Sequence, residues 1–242
     1  MLINQKSQIH TGEKMSYRVI CGDALKEIDN LEDKSVDIVF TSPNPPITLK
    51  EIEQLVLVFL KIDRVLKDSG SIWVQMGDYH NSDGNMRMVP ETFAIMMKSH
   101  YILRSKAIWV RNHEINYIPE PEEDNRLIRD WEYLFFFTKS KSAYYYKHNS
   151  KYKSSVYSFP YRFPNPGEFD SGFPEGLIEI AIENTCPQYG HILDPFCGTG
   201  VTGIVAISLN RYFTGIEINP NIISKLNKRL RTQKKNIHRA AY

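Results

Sequence analysis

Hydrophobic and polar positions along the chain fall into short β-prone runs separated by longer amphipathic stretches. Residues 18–21 form one brief run that breaks at Gly22-Asp23, and residues 37–40 (Asp-Ile-Val-Phe) form a second. Between 51 and 66, apolar side chains recur at Ile52, Leu55, Val56, Phe59, Leu60, Ile62, Val65 and Leu66, the spacing of one helical face. Residues 71–76 predict a third strand, 90–99 a helix, 103–110 a strand, and 132–138 (Glu-Tyr-Leu-Phe-Phe-Phe-Thr) a buried strand. The rhythm resumes with a helix over 175–183, a strand over 191–193, a helix over 201–209, a strand over 213–216 and a helix from Asn221. Strands alternating with helices predict a doubly wound, mainly parallel α/β sheet.

Two segments break that rhythm. Residues 111–129 are polar, with Pro119, Pro121 and an acidic run, and residues 140–173 are rich in tyrosine and proline. Long irregular connections inside a domain are typically functional loops. The chain therefore reads as a single domain over 1–242 with an insertion over 112–165. The polar start, residues 1–14, reads as a flexible arm.

Composition narrows the class without naming it. A length of 242 residues, 42% hydrophobic and 24% charged, suits one globular core. No run approaches the ~20 apolar residues of a membrane span. Net charge is only +2, yet Lys225, Lys228, Arg229, Arg231, Lys234, Lys235 and Arg239 crowd the end of the chain, and a second basic scatter runs from Arg104 to Lys153. Local basic surface on a near-neutral protein fits a nucleic-acid partner. The three cysteines, Cys21, Cys186 and Cys197, lack metal-type spacing and are expected to be buried small hydrophobes in a reducing, cytoplasmic setting. The histidines show no ligand spacing either, so no metal is expected.

The most informative stretch is Asp194-Pro195-Phe196-Cys197-Gly198-Thr199-Gly200-Val201-Thr202. It follows an apolar strand and opens a helix, the setting of a nucleotide-binding turn. Glycines at 198 and 200 let the backbone turn sharply and approach a ligand. Asp194 at the strand tip is placed to accept from an amino group. About twenty residues on, Glu217 ends the next strand, where an acid reaches both hydroxyls of a ribose.

These residues, followed by Gly215-Ile216-Glu217-Ile218-Asn219-Pro220, resemble the cofactor motifs of bacterial and phage DNA amino-methyltransferases. Phe173-Pro174-Glu175-Gly176-Leu177 is similar to that family's additional cofactor-contacting segment, and Cys21-Gly22-Asp23-Ala24-Leu25 to its acidic turn at the adenine half of the cofactor. The likeness runs from about Arg18 to Leu230 and is weakest in the middle. It implies the S-adenosylmethionine methyltransferase fold. It also implies S-adenosylmethionine as cofactor, bound by Asp23, Ala24, Phe173, Pro174, Asp194, Pro195, Phe196, Gly198, Thr199, Gly200, Thr202 and Glu217.

The family carries a Ser/Asn/Asp-Pro-Pro-Tyr/Phe turn after a strand; here Thr41-Ser42-Pro43-Asn44-Pro45-Pro46-Ile47 stands in that place. An exocyclic amine is a poor nucleophile because its lone pair is delocalised into the ring. A side-chain oxygen and a proline carbonyl that accept its N–H groups pull the nitrogen towards tetrahedral geometry, and flanking prolines hold both acceptors rigid. The asparagine between the prolines and the missing aromatic depart from the pattern. Two registers remain, with Ser42 or with Asn44 as the acceptor. The first, using Ser42, Pro43, Asn44 and Pro45, is preferred because the strand leads straight into it. Trp73 or Tyr79 is a candidate to replace the missing stacking ring. Asp78 either lines the target site or caps the next turn.

Serine-type turns in the family usually accompany cytosine N4 and aspartate-type turns adenine N6, so N4-methylcytosine is the expected product and N6-methyladenine the alternative. An RNA substrate, or an inactive subunit that binds cofactor and DNA, is also compatible. The catalytic turn precedes the cofactor turn, the reverse of the order in glutamine and release-factor methyltransferases, which disfavours a protein substrate. The resemblance implies double-stranded DNA as substrate and a restriction-modification system with a cognate restriction endonuclease. It leaves monomer and homodimer open. A paired base must be flipped out to react, and the insertion over 112–165 becomes the target-recognition segment. Asn112, His113, Arg126, Arg129, Lys147, Lys151 and Lys153 are its candidate DNA contacts.

Overall fold

The computed structural model describes residues 17–46, 48–112, 130–147, 153–160 and 173–240, at 112 and 237–240 the backbone alone. The first half of the chain gives β1 (Tyr17–Cys21), α1 (Ala24–Glu27), β2 (Val36–Thr41), α2 (Leu49–Val65), β3 (Leu66–Met76), α3 (Val89–Met97) and β4 (Ile102–Asn112). The second half gives β5 (Trp131–Thr138), β6 (Val156–Pro160), α4 (Glu175–Thr185), β7 (His191–Asp194), α5 (Val201–Ser208), β8 (Tyr212–Glu217) and α6 (Pro220–Ala240).

The strands form one eight-stranded sheet in the order β1-β8-β7-β2-β3-β5-β4-β6. Only β5 runs antiparallel to its neighbours, β3 and β4. Alternate side chains of each strand point to opposite faces, and both faces are apolar. Val39, Ile72, Val74, Phe135 and Phe137 face α1, α2 and α3; Ile38, Phe40, Trp73, Leu134 and Phe136 face α4, α5 and α6. A sheet buried on both sides explains why its central strands read as largely apolar runs, whereas β6 at the edge alternates between exposed and half-buried positions. Among the described residues no helix is long and apolar enough to cross a membrane.

Local chemistry fixes the element ends. Thr48 accepts from Glu51 N while the Glu51 carboxylate accepts from Thr48 N, a reciprocal cap that starts α2 two residues before the predicted position. The helix then runs directly into β3, which begins at Leu66 rather than at residue 71. Gly70 makes this possible, since a Cβ there would stand 2.6 Å from Leu66 Cδ1. Cys186 and Cys197 are buried as expected, but Cys21 is exposed, because β1 ends there at the rim of the sheet.

Within the predicted insertion over 112–165, β5 is a core strand, with Phe135 and Phe137 fully buried. Any DNA-reading segments therefore lie on either side of it. The predicted arm over 1–14 and the loop over 113–129 lie outside the described residues.

From β7 the chain moves through α5 to β8 on one side, and from β2 through α2 to β3 on the other. The boundary between β7 and β2 is thus the switch point, where open α/β sheets bind ligands beyond the carboxyl ends of their strands.

Candidate active site

A cleft of about 830 Å³ opens at that edge, lined from α1, α2, α5, β2, β3, β4, β5, β7 and β8 and the turns between them. Its first half gathers Asp23, Ala24, Asp194, Pro195, Phe196, Gly198, Thr199, Thr202 and Glu217. Asp23 caps α1 by accepting from Leu25 N at 2.9 Å. Glu217 accepts from Gly198 N at 3.0 Å and from Asn219 N at 2.8 Å, so its carboxylate is held against the turn after β7.

Asp194 is buried under that turn. Its Oδ1 accepts from Thr41 Oγ1 at 2.7 Å and Phe196 N at 3.1 Å, and its Oδ2 from Thr202 Oγ1 at 2.7 Å. Burial pushes its carboxyl up to about 6 despite these three donors. A carboxylate offers roughly four acceptor sites, so an external amino group meets a carboxylate already largely engaged by the chain itself.

The two turn glycines, expected to act alike, differ. Gly198 adopts φ +49° on the open side of the turn, where a Cβ would have nothing within 4 Å. Gly200 adopts φ +83° and is absent from the cleft wall; a Cβ there would lie 2.1 Å from Leu226 Cδ1, so it serves α5–α6 contact instead. Gly203 likewise lets α5 approach Phe213 and Leu230. Pro174 also lies off the wall, where it precedes α4, whereas Phe173 lines the cleft and packs edge-on against Phe40 and Trp109.

The other half of the cleft holds Ser42, Pro43, Asn44 and Pro45, together with Gln75, Gly77, Tyr79, Arg111 and Glu132. Ser42 Oγ donates to Gln75 Oε1, and Gln75 Nε2 donates to Glu132 Oε2. Arg111 Nη1 lies 3.3 Å from Glu132 Oε1, both side chains being mostly buried. Gln75, Arg111 and Glu132 escaped the sequence reading. Their signal was positional: each continues, at period two, an apolar row on one sheet face (Trp73 to Gln75, Trp109 to Arg111, Leu134 to Glu132). A polar residue ending such a row at the carboxyl edge is placed to face a ligand.

Two candidates leave the site. Trp73 is buried, stacks on Phe136 with centroids 4.3 Å apart, and donates to Thr185 Oγ1 at 2.9 Å; it belongs to the α4 face, which leaves Tyr79 as the candidate ring. Asp78 caps α3, accepting from Met88 N at 2.9 Å and Val89 N at 3.2 Å.

The DNA-contact candidates divide in the same way. Because β5 is antiparallel, the chain after it emerges at the amino edge, where Tyr145 N donates to Ser69 O at 2.9 Å. Lys147 therefore sits opposite the cleft, its Nζ 3.3 Å from Glu183 Oε2, which removes it from the DNA-facing set. Lys153 is exposed just ahead of β6. Asn112 ends β4 at the cleft edge, its side chain outside the described residues, as are His113, Arg126, Arg129 and Lys151.

The family model of the N6_N4_Mtase DNA methylases matches residues 50–228. The chain belongs to that family. The Type II methyltransferase M.XycI of Xanthomonas campestris pv. cyanopsidis is 29% identical over 274 residues, covering 91% of this chain and 89% of that protein. Among solved structures, the cytosine-N4-specific PvuII DNA methyltransferase superposes with a TM-score of 0.76 at 15% identity, covering 95% of this chain and 96% of its own. A putative DNA modification methylase of Thermus thermophilus, complexed with S-adenosylmethionine, gives 0.70 at 19% identity, with 90% and 94% covered.

The cofactor of this methylase family is S-adenosylmethionine. The first half of the cleft fits it on its own terms. The turn after β7 leaves free space beside Gly198, and the Glu217 carboxylate stands at the adjoining strand end.

Proposed function

We propose that this DNA methylase transfers a methyl group to N4 of cytosine in duplex DNA, within a restriction-modification system. The observation that carries the choice of base is Ser42, which directly follows β2, lines the cleft and bonds to Gln75. In the family such a serine usually accompanies cytosine, and the PvuII enzyme of like fold is itself cytosine-N4-specific.

When bound, S-adenosylmethionine supplies an electrophilic methyl carbon, and Asp23, Gly198 and Glu217 are the residues to hold its nucleoside part. Ser42 Oγ and the Pro43 carbonyl accept the two N–H groups of the target amine. That contact draws the nitrogen lone pair out of conjugation and fixes its direction. Pro43 and Pro45 keep the acceptors rigid, so little reorganisation is left for the moment of reaction. Tyr79, half exposed at the cleft mouth, supplies the ring on which the flipped base stacks.

The test is incubation with methyl-labelled S-adenosylmethionine and duplex DNA from an unmethylated host, followed by digestion to nucleosides. N4-methylcytosine is expected. N6-methyladenine overturns the choice of base, and unlabelled DNA despite cofactor binding overturns the DNA reaction altogether. Ser42→Ala is expected to abolish transfer; loss with Asn44→Ala alone moves the acceptor to Asn44.

A further inference from the structure

The polar chain from Ser42 through Gln75 and Glu132 to Arg111 crosses three strands at the floor of the base-side cleft. Its middle member is an amide, which presents a donor at one end and an acceptor at the other. Glu132 faces the amide as a carboxylate paired with the Arg111 guanidinium, so on that side it can only accept. The Gln75 nitrogen must therefore face Glu132, and its oxygen must face Ser42. The Ser42 hydroxyl hydrogen is thereby committed to Gln75, and the oxygen lone pairs are left for the cleft.

The fold makes room for this arrangement. Gly77 closes β3 beside Glu132, and a Cβ there would stand 2.9 Å from the carboxyl carbon and 2.9 Å from Oε1 of Glu132. Gln75 is itself buried, which denies it water as an alternative partner and makes its orientation costly to reverse.

We propose that Glu132, fixed by Arg111, is a positioning residue that orients the Gln75 amide and so makes Ser42 a hydrogen-bond acceptor towards the target amine. This rests on Ser42 as the acceptor in the proposed reaction. No proton passes along the chain, because an amide neither takes nor releases one at working pH. The device sets polarity only.

The consequence lies in the order of donors and acceptors. In Glu132→Gln, Arg111 holds the carbonyl of the new amide, whose nitrogen then faces Gln75. Gln75 turns over to accept from it and presents its own nitrogen to Ser42. The serine spends one of its two lone pairs on that nitrogen and has its hydrogen free to point at the substrate, so that it competes as a donor where the target amine needs an acceptor. Exchanging the two groups, Gln75→Glu with Glu132→Gln, restores the order. The carboxylate at 75 accepts from Ser42 and from the amide at 132, whose oxygen still accepts from Arg111.

Steady-state methylation of duplex DNA by the full-length chain tests this. Glu132→Gln is expected to lower kcat by about tenfold to a hundredfold, with KM for DNA and the S-adenosylmethionine Kd unchanged. The exchanged pair should recover to within about threefold of the parent. A Glu132→Gln enzyme with parental kcat, or an exchanged pair no better than the single variant, overturns the proposal. If Glu132→Gln melts early, the exchanged pair is read alone: parental kcat supports the orientation role, and a tenfold loss overturns it. Ser42→Ala run in parallel separates the two readings. Parental kcat there removes Ser42 itself, whereas loss there with Glu132→Gln intact removes only the orientation role.

Discussion

Thr41 Oγ1 donates to Asp194 Oδ1 at 2.7 Å, joining the last residue of β2 to the last residue of β7 across the switch point of the sheet. One residue beyond Thr41 is Ser42, and one beyond Asp194 is the Pro195 turn. The bond therefore sets the spacing between the base-side and cofactor-side halves of the cleft. Both partners are buried, so the distance does not relax through solvent.

Thr41→Val keeps the side-chain shape and removes the donor. A hydrogen bond to a charged group contributes about 1.5–3 kcal/mol, and the buried carboxylate loses one of its three protein donors. Urea denaturation is expected to show a loss of about 2 kcal/mol. Transfer should fall by more than the stability loss alone accounts for, because the two turns are no longer tied. Parental kcat in a destabilised variant would show that the spacing is set elsewhere.

Asp194 also gives a pH dependence with a definite sign. Its carboxyl is raised from 3.8 to about 6 by burial. A raised folded-state value means that the unfolded chain ionises first. The contribution of Asp194 to stability is then fully present below about pH 4 and is lost, by about 3 kcal/mol, as pH rises from there through 6. A cationic ligand group near Asp194 favours the ionised form. Affinity for S-adenosylmethionine should accordingly weaken as pH falls below 6, with proton release on binding. Calorimetry at pH 7.5 and pH 5 in two buffers of different ionisation enthalpy checks this, and a pH-independent Kd would place the cationic tail away from Asp194.

The central strands were legible in the sequence because burial on both faces makes them largely apolar, whereas β6, half-exposed at the sheet's edge with a polar-interrupted sequence, falls in the segment over 140–173 that read as irregular. The turn after β7 was legible because Asp194, Gly198 and Gly200 lie close together in the chain and Glu217 ends the next strand. Gln75, Arg111 and Glu132 were not, since they come from three strands and meet only through the antiparallel register of β5. The same register misled the reading of Lys147: a lysine in a tyrosine-rich loop looks DNA-facing until β5 is seen to deliver it to the far edge. Trp73 failed as a stacking ring for a related reason, its strand position aiming it at α4 rather than past the strand end.

Gly198 and Gly200 are two residues apart, and the structure separates their roles. Alanine at 200 meets Leu226 Cδ1 at 2.1 Å in a left-handed backbone, so Gly200→Ala should cost about 2–4 kcal/mol through strain and overpacking. Alanine at 198 carries only the left-handed conformational cost of about 1–2 kcal/mol but places a methyl on the ligand side. Gly198→Ala should therefore lose cofactor affinity with modest destabilisation, and Gly200→Ala should lose stability first. Equal melting shifts for both would refute the distinction.

Lys147 tests the orientation of the molecule on DNA. Each phosphate neutralised by a protein cation adds about 0.9 to the slope of log K against log salt. Lys147 lies at the amino edge beside Glu183, away from the cleft into which a base must swing. Lys147→Ala should leave both the DNA affinity and its salt slope at parental values. The exposed pair with Glu183 is worth about 0.2–1 kcal/mol, so the melting temperature should barely move. A salt slope lowered by about one would bring DNA to the amino edge of the sheet and contradict the placement of the target base beside Ser42.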